Sequence, residues 1–256
     1  MFREGASRAY ALRELEISCA IHESGLPSPA VYPAETEDVL IEIDDRLGFV
    51  MDRIDGPSML RVLTAKPWKM VQLACVFARL HRMVHATTAT HLPSQRERLH
   101  HVIDRIAEEV GANTAAQIHT AVDALPDGDA VCHGDFHPDN ILMSERGPVI
   151  IDWGPATSGN PAGDVAWTVY LFRHGGTPPG MSVVQRLVLN AFRRVFLFMY
   201  LRAYLKKSTM SRAIVKQWEP PIVALRLGDG IAEERDLLLQ TIRSHFSSGE
   251  GADAAD

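Results

Sequence analysis

The sequence predicts an α+β protein in two unequal parts: a small strand-bearing piece, then a large, mostly helical one. Three observations carry this. Two β-rich runs, "VLIEI" (39–43) and "LGFVM" (47–51), flank the turn-like "DDR" and read as a hairpin. Beyond the Gly- and Pro-containing "DRIDGPS" (52–58), apolar residues recur at helical spacing, as Leu73, Val76, Phe77, Leu80 and Val84 do within 67–85. Inside the helical part, two short strands, "NILM" and "PVIID", form an island behind the polar stretch "VCHGDFHPDN".

In chain order, residues 6–24 read as a helix ending at Gly25, with "LPSP" as the breaker. The hairpin closes the first piece at 1–52, a linker covers 53–58, and the helical part covers 59–246. After 67–85, helices are expected at about 95–110, 113–124, 163–173, 182–207 and 231–246. The tail "SSGEGADAAD" (247–256) is small and acidic, a composition that does not order by itself.

Composition narrows the function. A chain of 256 residues with 46% hydrophobic and 23% charged residues is an ordinary globular protein that buries a sizeable core. The net charge of −6 gives no basic footprint, which argues against nucleic acid as a partner. The three cysteines, Cys19, Cys75 and Cys132, show no metal-ligand spacing and suit a reducing cytoplasmic compartment. "MFREGASRAY" lacks an apolar signal core. "VFLFMYL" (195–201), flanked by Arg193, Arg194 and Arg202, is too short to span a bilayer, so it reads as buried helix and no membrane partner is expected.

The chemistry concentrates after Val131. Asp135 precedes Asn140 by five residues and Asp152 follows it by twelve. Asp and Asn are also common turn residues. If "NILM" and "PVIID" pair, however, Asn140 and Asp152 lie at one edge, with Asp135 nearby. An amide oxygen and a carboxylate are hard ligands of the kind Mg²⁺ takes, with phosphate oxygens completing its shell. A separate carboxylate beside them can accept a hydroxyl proton. That combination is a phosphoryl-transfer arrangement.

These residues carry a resemblance. "HGDFHPDN" resembles the H-x-D-x-x-x-x-N loop of kinase-like phosphotransferases, and "IDWG" stands where protein kinases have D-F-G. "HPDNIL" and "IDWGPATSGNPAGDVAW" resemble the aminoglycoside phosphotransferase and choline kinase branch; no H-R-D or A-P-E string points to a protein kinase. "ELEISCAIHESGLPSPAVY", "GFVMDRIDGPSML", "FARLH" and "WEPPIVALRLGDGIAEER" extend the similarity over nearly the whole chain. The resemblance implies a protein-kinase-like two-lobe fold, with ATP and Mg²⁺ as cofactors and a small-molecule hydroxyl as acceptor. It implies Asp135 as catalytic base, Asn140 and Asp152 as metal ligands, His133 as the histidine bracing the loop, and Asp164 as the helix-start carboxylate that holds it. It further places the backbone of Asp52 and Ile54 against adenine, Met51 behind the base, and Glu14, rather than Glu16, as the helix glutamate that pairs with a phosphate-binding lysine. His81 reads as core or loop support, Asp139 as a solvated turn residue, and His137 equally as a phosphate contact or a packing group.

The pattern has gaps. The lysines are Lys66, Lys69, Lys206, Lys207 and Lys216, and no G-x-G-x-x-G occurs. The resemblance is therefore to a family member with a truncated N-terminal lobe. Two readings stay open: a longer natural N-terminus, or a short form with weakened nucleotide binding in which Arg3 partly substitutes for the lysine. The alternative to a small-molecule kinase is a non-catalytic kinase-like binding module. A shortened lobe would also expose the sheet edge at 39–51, a candidate homodimer surface. Between Asn160 and Trp218 stand nine basic residues and one acid, Asp164, a bias towards a neutral or anionic acceptor if this stretch builds the pocket.

Overall fold

The computed structural model describes residue 5 and residues 7–32, 39–89, 91–176 and 180–246. Arg3 and the tail 247–256 lie outside the described residues. Ser7 caps the first helix, α1 (Arg8–Glu23), by accepting a hydrogen bond from the Tyr10 amide. Ala11 and Leu15 on α1 pack in a small cluster with Leu40, while Ile17 and Ile21 enter the main core. α1 thus joins two apolar clusters of very different size.

The hairpin region is more divided than its sequence suggests. β2 (Ile41–Ile43) pairs with β3 (Arg46–Gly48) through a two-residue turn, where Asp44 and Asp45 both take left-handed φ values of 51° and 58°. The run "LGFVM" then breaks: β4 (Val50–Met51) leaves β2 and pairs antiparallel with β1 (Val31–Tyr32). Ile43, Val50 and Met51 are exposed along these edges. The linker is tacked to the helical part. Pro57 O accepts from the Met143 amide at 2.9 Å, and the Ser58 hydroxyl donates to Asp139 at 2.6 Å. Asp139 is therefore not merely a solvated turn residue, because its carboxylate anchors the linker.

The helical part begins at residue 59, as expected, with α2 (Met59–Ala65), a helix not individually expected from sequence, and a short 3₁₀ turn at Pro67–Lys69. α3 (Met70–His85) buries Leu73, Phe77, Leu80 and Val84 against α7 (Val183–Leu205). Phe77 meets Phe136, Phe196 and Tyr200 with ring centroids 4.6, 5.6 and 5.0 Å away. Each such ring contributes about 1.5–3 kcal/mol by burial. α4 (Gln95–Val110) and α5 (Ala112–Asp123) follow, joined at Gly111. Four short strands then frame the polar loop. β5 (Ala130–Cys132) pairs with β8 (Thr157–Gly159), and β6 (Ile141–Ser144) pairs with β7 (Gly147–Ile150). α6 (Pro161–His174) starts directly after β8, capped by Asn160. α8 (Arg212–Gln217) packs on α6, and α9 (Glu219–Leu227) and α10 (Arg235–Phe246) close the bundle against α4 and α5. The expected helix at 231–246 starts four residues late. Phe196, Leu197 and Tyr200 of the "VFLFMYL" run are buried while Phe198 is exposed, and no described helix is long and apolar enough to cross a membrane.

Candidate active site

The polar loop leaves β5 at Cys132 and reaches β6 at Ile141, so both ends are fixed by pairing. His133 is fully buried inside it. Its Nε2 donates to the Ile151 carbonyl at 3.1 Å and its Nδ1 accepts from the Asp135 amide at 3.2 Å. One neutral ring thus ties the loop to the segment beyond β7, and burial lowers its pKa, keeping it neutral. Gly134 has φ +78°, and a Cβ there would lie 2.5 Å from the Pro155 carbonyl oxygen. Glycine is what lets residues 152–156 lie directly on the loop.

Asp164, in the first turn of α6, is buried beneath. Its Oδ2 accepts from the His133 amide at 2.6 Å and its Oδ1 from the Gly134 amide at 2.8 Å. His81 and His85 of α3 each place Nε2 at 3.1 Å from Oδ2. Burial alone would raise this carboxyl's pKa; the hydrogen bonds from His81 and His85 outweigh it and hold the group well below its ordinary range. An ionised carboxylate only accepts, so both Nε2 atoms carry protons. Their Nδ1 atoms then accept from Tyr200 at 2.8 Å and Tyr204 at 2.6 Å. Two histidines and a carboxylate this close resemble a metal site, but their nitrogens face the carboxylate as donors, with no lone pair left for an ion.

Above this base sit the three residues expected to carry the chemistry. Asn140 Nδ2 donates to Asp135 O at 3.0 Å and to Asp135 Oδ2 at 3.3 Å. Asn140 O accepts from the Ile151 amide at 3.0 Å, so Asp152 follows immediately beside Asn140. Asp152 lies just past β7, not within it, and its φ is +63°. A non-glycine residue held left-handed costs about 1–3 kcal/mol, a strain that concentrates at functional positions. No hydrogen bond to the Asp152 carboxylate or to Asn140 Oδ1 occurs among the described residues, so both oxygens are free to ligate. Asp135 Oδ1 accepts from Trp167 Nε1 at 3.3 Å and Oδ2 lies 3.3 Å from His137 Nε2. Burial pushes this carboxyl's pKa up, but His137 and Trp167 outweigh burial and leave it below its ordinary value.

A cleft of about 830 Å³ opens beside Asp152, walled by Arg13 and Glu14 from α1, Arg98, His101 and Arg105 from α4, and Gly154. The Glu14 carboxyl lies against Gly154, and its pKa is raised by burial and, to a smaller extent, by Asp152. Glu16 is exposed. No lysine lines this cleft.

The model of the phosphotransferase enzyme family matches residues 1–206. The chain belongs to that family. No curated protein matches it. Its fold is protein-kinase-like, as three solved structures show. A thermostable mutant of aminoglycoside phosphotransferase APH(4)-Ia, in apo form, aligns at TM-score 0.61 and 15% identity over 93% of this chain and 84% of that one. Amicoumacin kinase hAmiN, in complex with AMP-PNP, Ca²⁺ and Ami, gives 0.60 at 13% identity over 94% and 79%. Choline kinase LicA from Streptococcus pneumoniae gives 0.53 at 16% over 94% and 81%. At such identities the likeness concerns the fold.

The other positions named from sequence take varied places in this phosphotransferase-family chain. Met51 is exposed at the end of β4. The Asp52 amide donates to Ala30 O at 2.8 Å and its carboxylate accepts from Tyr32 at 3.0 Å, which leaves the Asp52 carbonyl for any ligand. Ile54 has no recorded hydrogen bond among the described residues. His81 supports the loop from within the core. The nine basic residues of 160–218 do not line the cleft beside Asp152; Arg193, for example, donates to the carbonyls of Gly175 and Gly176. The cations in that cleft come from α1 and α4, whereas Arg173, Arg194 and Arg212 of the basic stretch line a separate cavity of about 520 Å³. Trp167, His85 and Arg98 escaped sequence reading because each reaches the site across at least 32 residues of chain. The i, i+4 pair His81/His85 was the available signal for one of them.

Proposed function

We propose that the chain is an ATP- and Mg²⁺-dependent small-molecule kinase that phosphorylates a hydroxyl. The observation that carries this reading is the strained Asp152. Its left-handed backbone carries a carboxylate with no hydrogen-bond partner among the described residues, one residue past the Ile151–Asn140 backbone bond, and the Asn140 amide group is tied to Asp135. Asn140 Oδ1 and the Asp152 carboxylate would hold Mg²⁺, which when bound neutralises phosphate charge. Asp135 stays ionised at neutral pH, as its lowered pKa requires, and accepts the acceptor's hydroxyl proton on the carboxylate that Trp167 and Asn140 orient. His133 and Asp164 hold the loop that presents it. The carbonyl of Asp52, the backbone of Ile54 and the exposed Met51 would receive adenine.

The test is a phosphorylation screen over hydroxyl compounds with Mg·ATP, alongside thermal shifts with nucleotide. Asp135→Ala should lower turnover at least about a hundredfold, the range of a lost general base, with an unchanged melting temperature. Retained turnover would remove Asp135 from the role. The second reading, a binding module without catalysis, draws on the absence of any lysine from the cleft. It predicts no thermal shift with Mg·ATP.

A further inference from the structure

Arg98 is placed against three unfavourable influences at once. It lies in the first turn of α4, where the helix dipole disfavours a cation. It is largely buried, and burial lowers its pKa. Arg13, on the facing helix, is a second cation in the same cleft. No carboxylate lies within 4 Å of it among the described residues; Asp229, Asp164 and Asp135 offset the penalty only from longer range. Among the described residues its one hydrogen bond runs from Nη1 to the Pro155 carbonyl at 2.5 Å, so Nε and Nη2 have no partner there. That bond fixes the guanidinium over the segment that begins at Asp152. The same side chain borders a second, small cavity of about 20 Å³ lined by Gly134, Trp167 and Trp218. Gly134 precedes Asp135 and Trp167 is bonded to it, so Arg98 bridges the cleft at Asp152 and the surroundings of Asp135. Trp218 Nε1, at the same small cavity, is buried without any partner.

A largely buried guanidinium with free donors and no directly bonded carboxylate is an incomplete oxyanion site. We propose that Arg98 binds the terminal phosphoryl group of the bound nucleotide, as the cation set between the Asp152 side and the Asp135 side of the site. The inference rests on the kinase reading and adds to it a cation supplied from α4, outside the expected motif residues. Arg13, on the cleft's far wall, contributes a weaker, solvent-screened attraction.

Calorimetric titration of Mg·AMP-PNP and Mg·ADP separates the two claims. The wild-type chain should bind both, AMP-PNP the tighter. Arg98→Ala should weaken AMP-PNP about tenfold, the worth of one charge-assisted hydrogen bond, and change ADP less than about twofold. Arg98→Lys, which keeps the charge but loses the fork, should fall between. Arg13→Ala leaves the Pro155 anchor intact and should give a smaller loss confined to AMP-PNP. Equal losses for both nucleotides would mark Arg98 as a prop for residues 152–156 and overturn the proposal. So would an unchanged AMP-PNP to ADP ratio accompanied by weakened inorganic phosphate binding, which would assign the site to an anionic acceptor. A wild-type chain that binds neither nucleotide would sink the kinase reading itself.

Discussion

Asp164 accepts four N–H groups in a fully enclosed position, two from the loop backbone and two from imidazoles. The arrangement joins an ionised carboxylate to an uncharged His81, which gives it a defined pH response. The pKa of His81 falls to about 3 through burial, with the neighbouring His85 adding to the fall. An unfolded histidine titrates near about 6.5, so below that pH the unfolded chain binds a proton that the native chain refuses. Stability is complete above about 6.5 and declines towards pH 3, by at most about 1.4 kcal/mol per pH unit for this group. His133, depressed by burial too, adds in the same direction. Asp164 joins only below about pH 4, since its contribution is present above the unfolded carboxylate value and is lost as pH falls towards its depressed folded one. Urea melts from pH 7 to 4.5 should show the decline. His81→Gln, which can still donate to Asp164, should flatten the slope while lowering stability at pH 7; an unaltered slope would mean that His81 is protonated in the native state.

Among the elements, the packing of residues 152–156 on the loop depends on one missing side chain. Gly134→Ala would put a methyl 2.5 Å from the Pro155 oxygen at a backbone φ of +78°. Strain of this kind costs about 1–3 kcal/mol. A melting-temperature drop with lost Mg·ATP response is expected, and a fully stable Ala variant would show that the segment moves freely. This scale also shows what sequence could reveal. The H-x-D-x-x-x-x-N spacing placed Asp135 beside Asn140 because five residues of one tight loop leave few conformations. The pairing of β6 with β7 was readable from two apolar runs around a turn. By contrast β5, β8, α2, α8 and α9 were missed. Three-residue strands such as Ala130–Cys132 and Thr157–Gly159 have too few positions to show a period. α9 opens on "EPP", where prolines read as breakers although they suit a helix's first turn. Arg98 carries no local mark in the sequence, because its neighbours come from α1 and from the segment after β7.

Across the whole molecule, two apolar clusters of unequal size imply unequal resistance to opening. Among the described residues the first holds Ala11, Leu15 and Leu40 as its buried members, whereas the second runs through every helix from α1 to α10. Hydrogen exchange should therefore be fast at β2 and β3 and slow at α3 and α7, with the two sets opening independently. Uniform protection would show that α1 transmits the larger core's stability to the strands. The stitching of the linker sharpens the expectation. Gly56 is pressed on the Met143 carbonyl, Pro57 and Ser58 bond across to Met143 and Asp139, and Asp139 neighbours Asn140. Domain rotation about the linker must therefore be absorbed upstream, between Asp52 and Asp55. A pivot located there would swing the backbone proposed to receive adenine while Asn140 stays still, so on the proposed function capture of a nucleotide and alignment of its reacting end would proceed as separate movements.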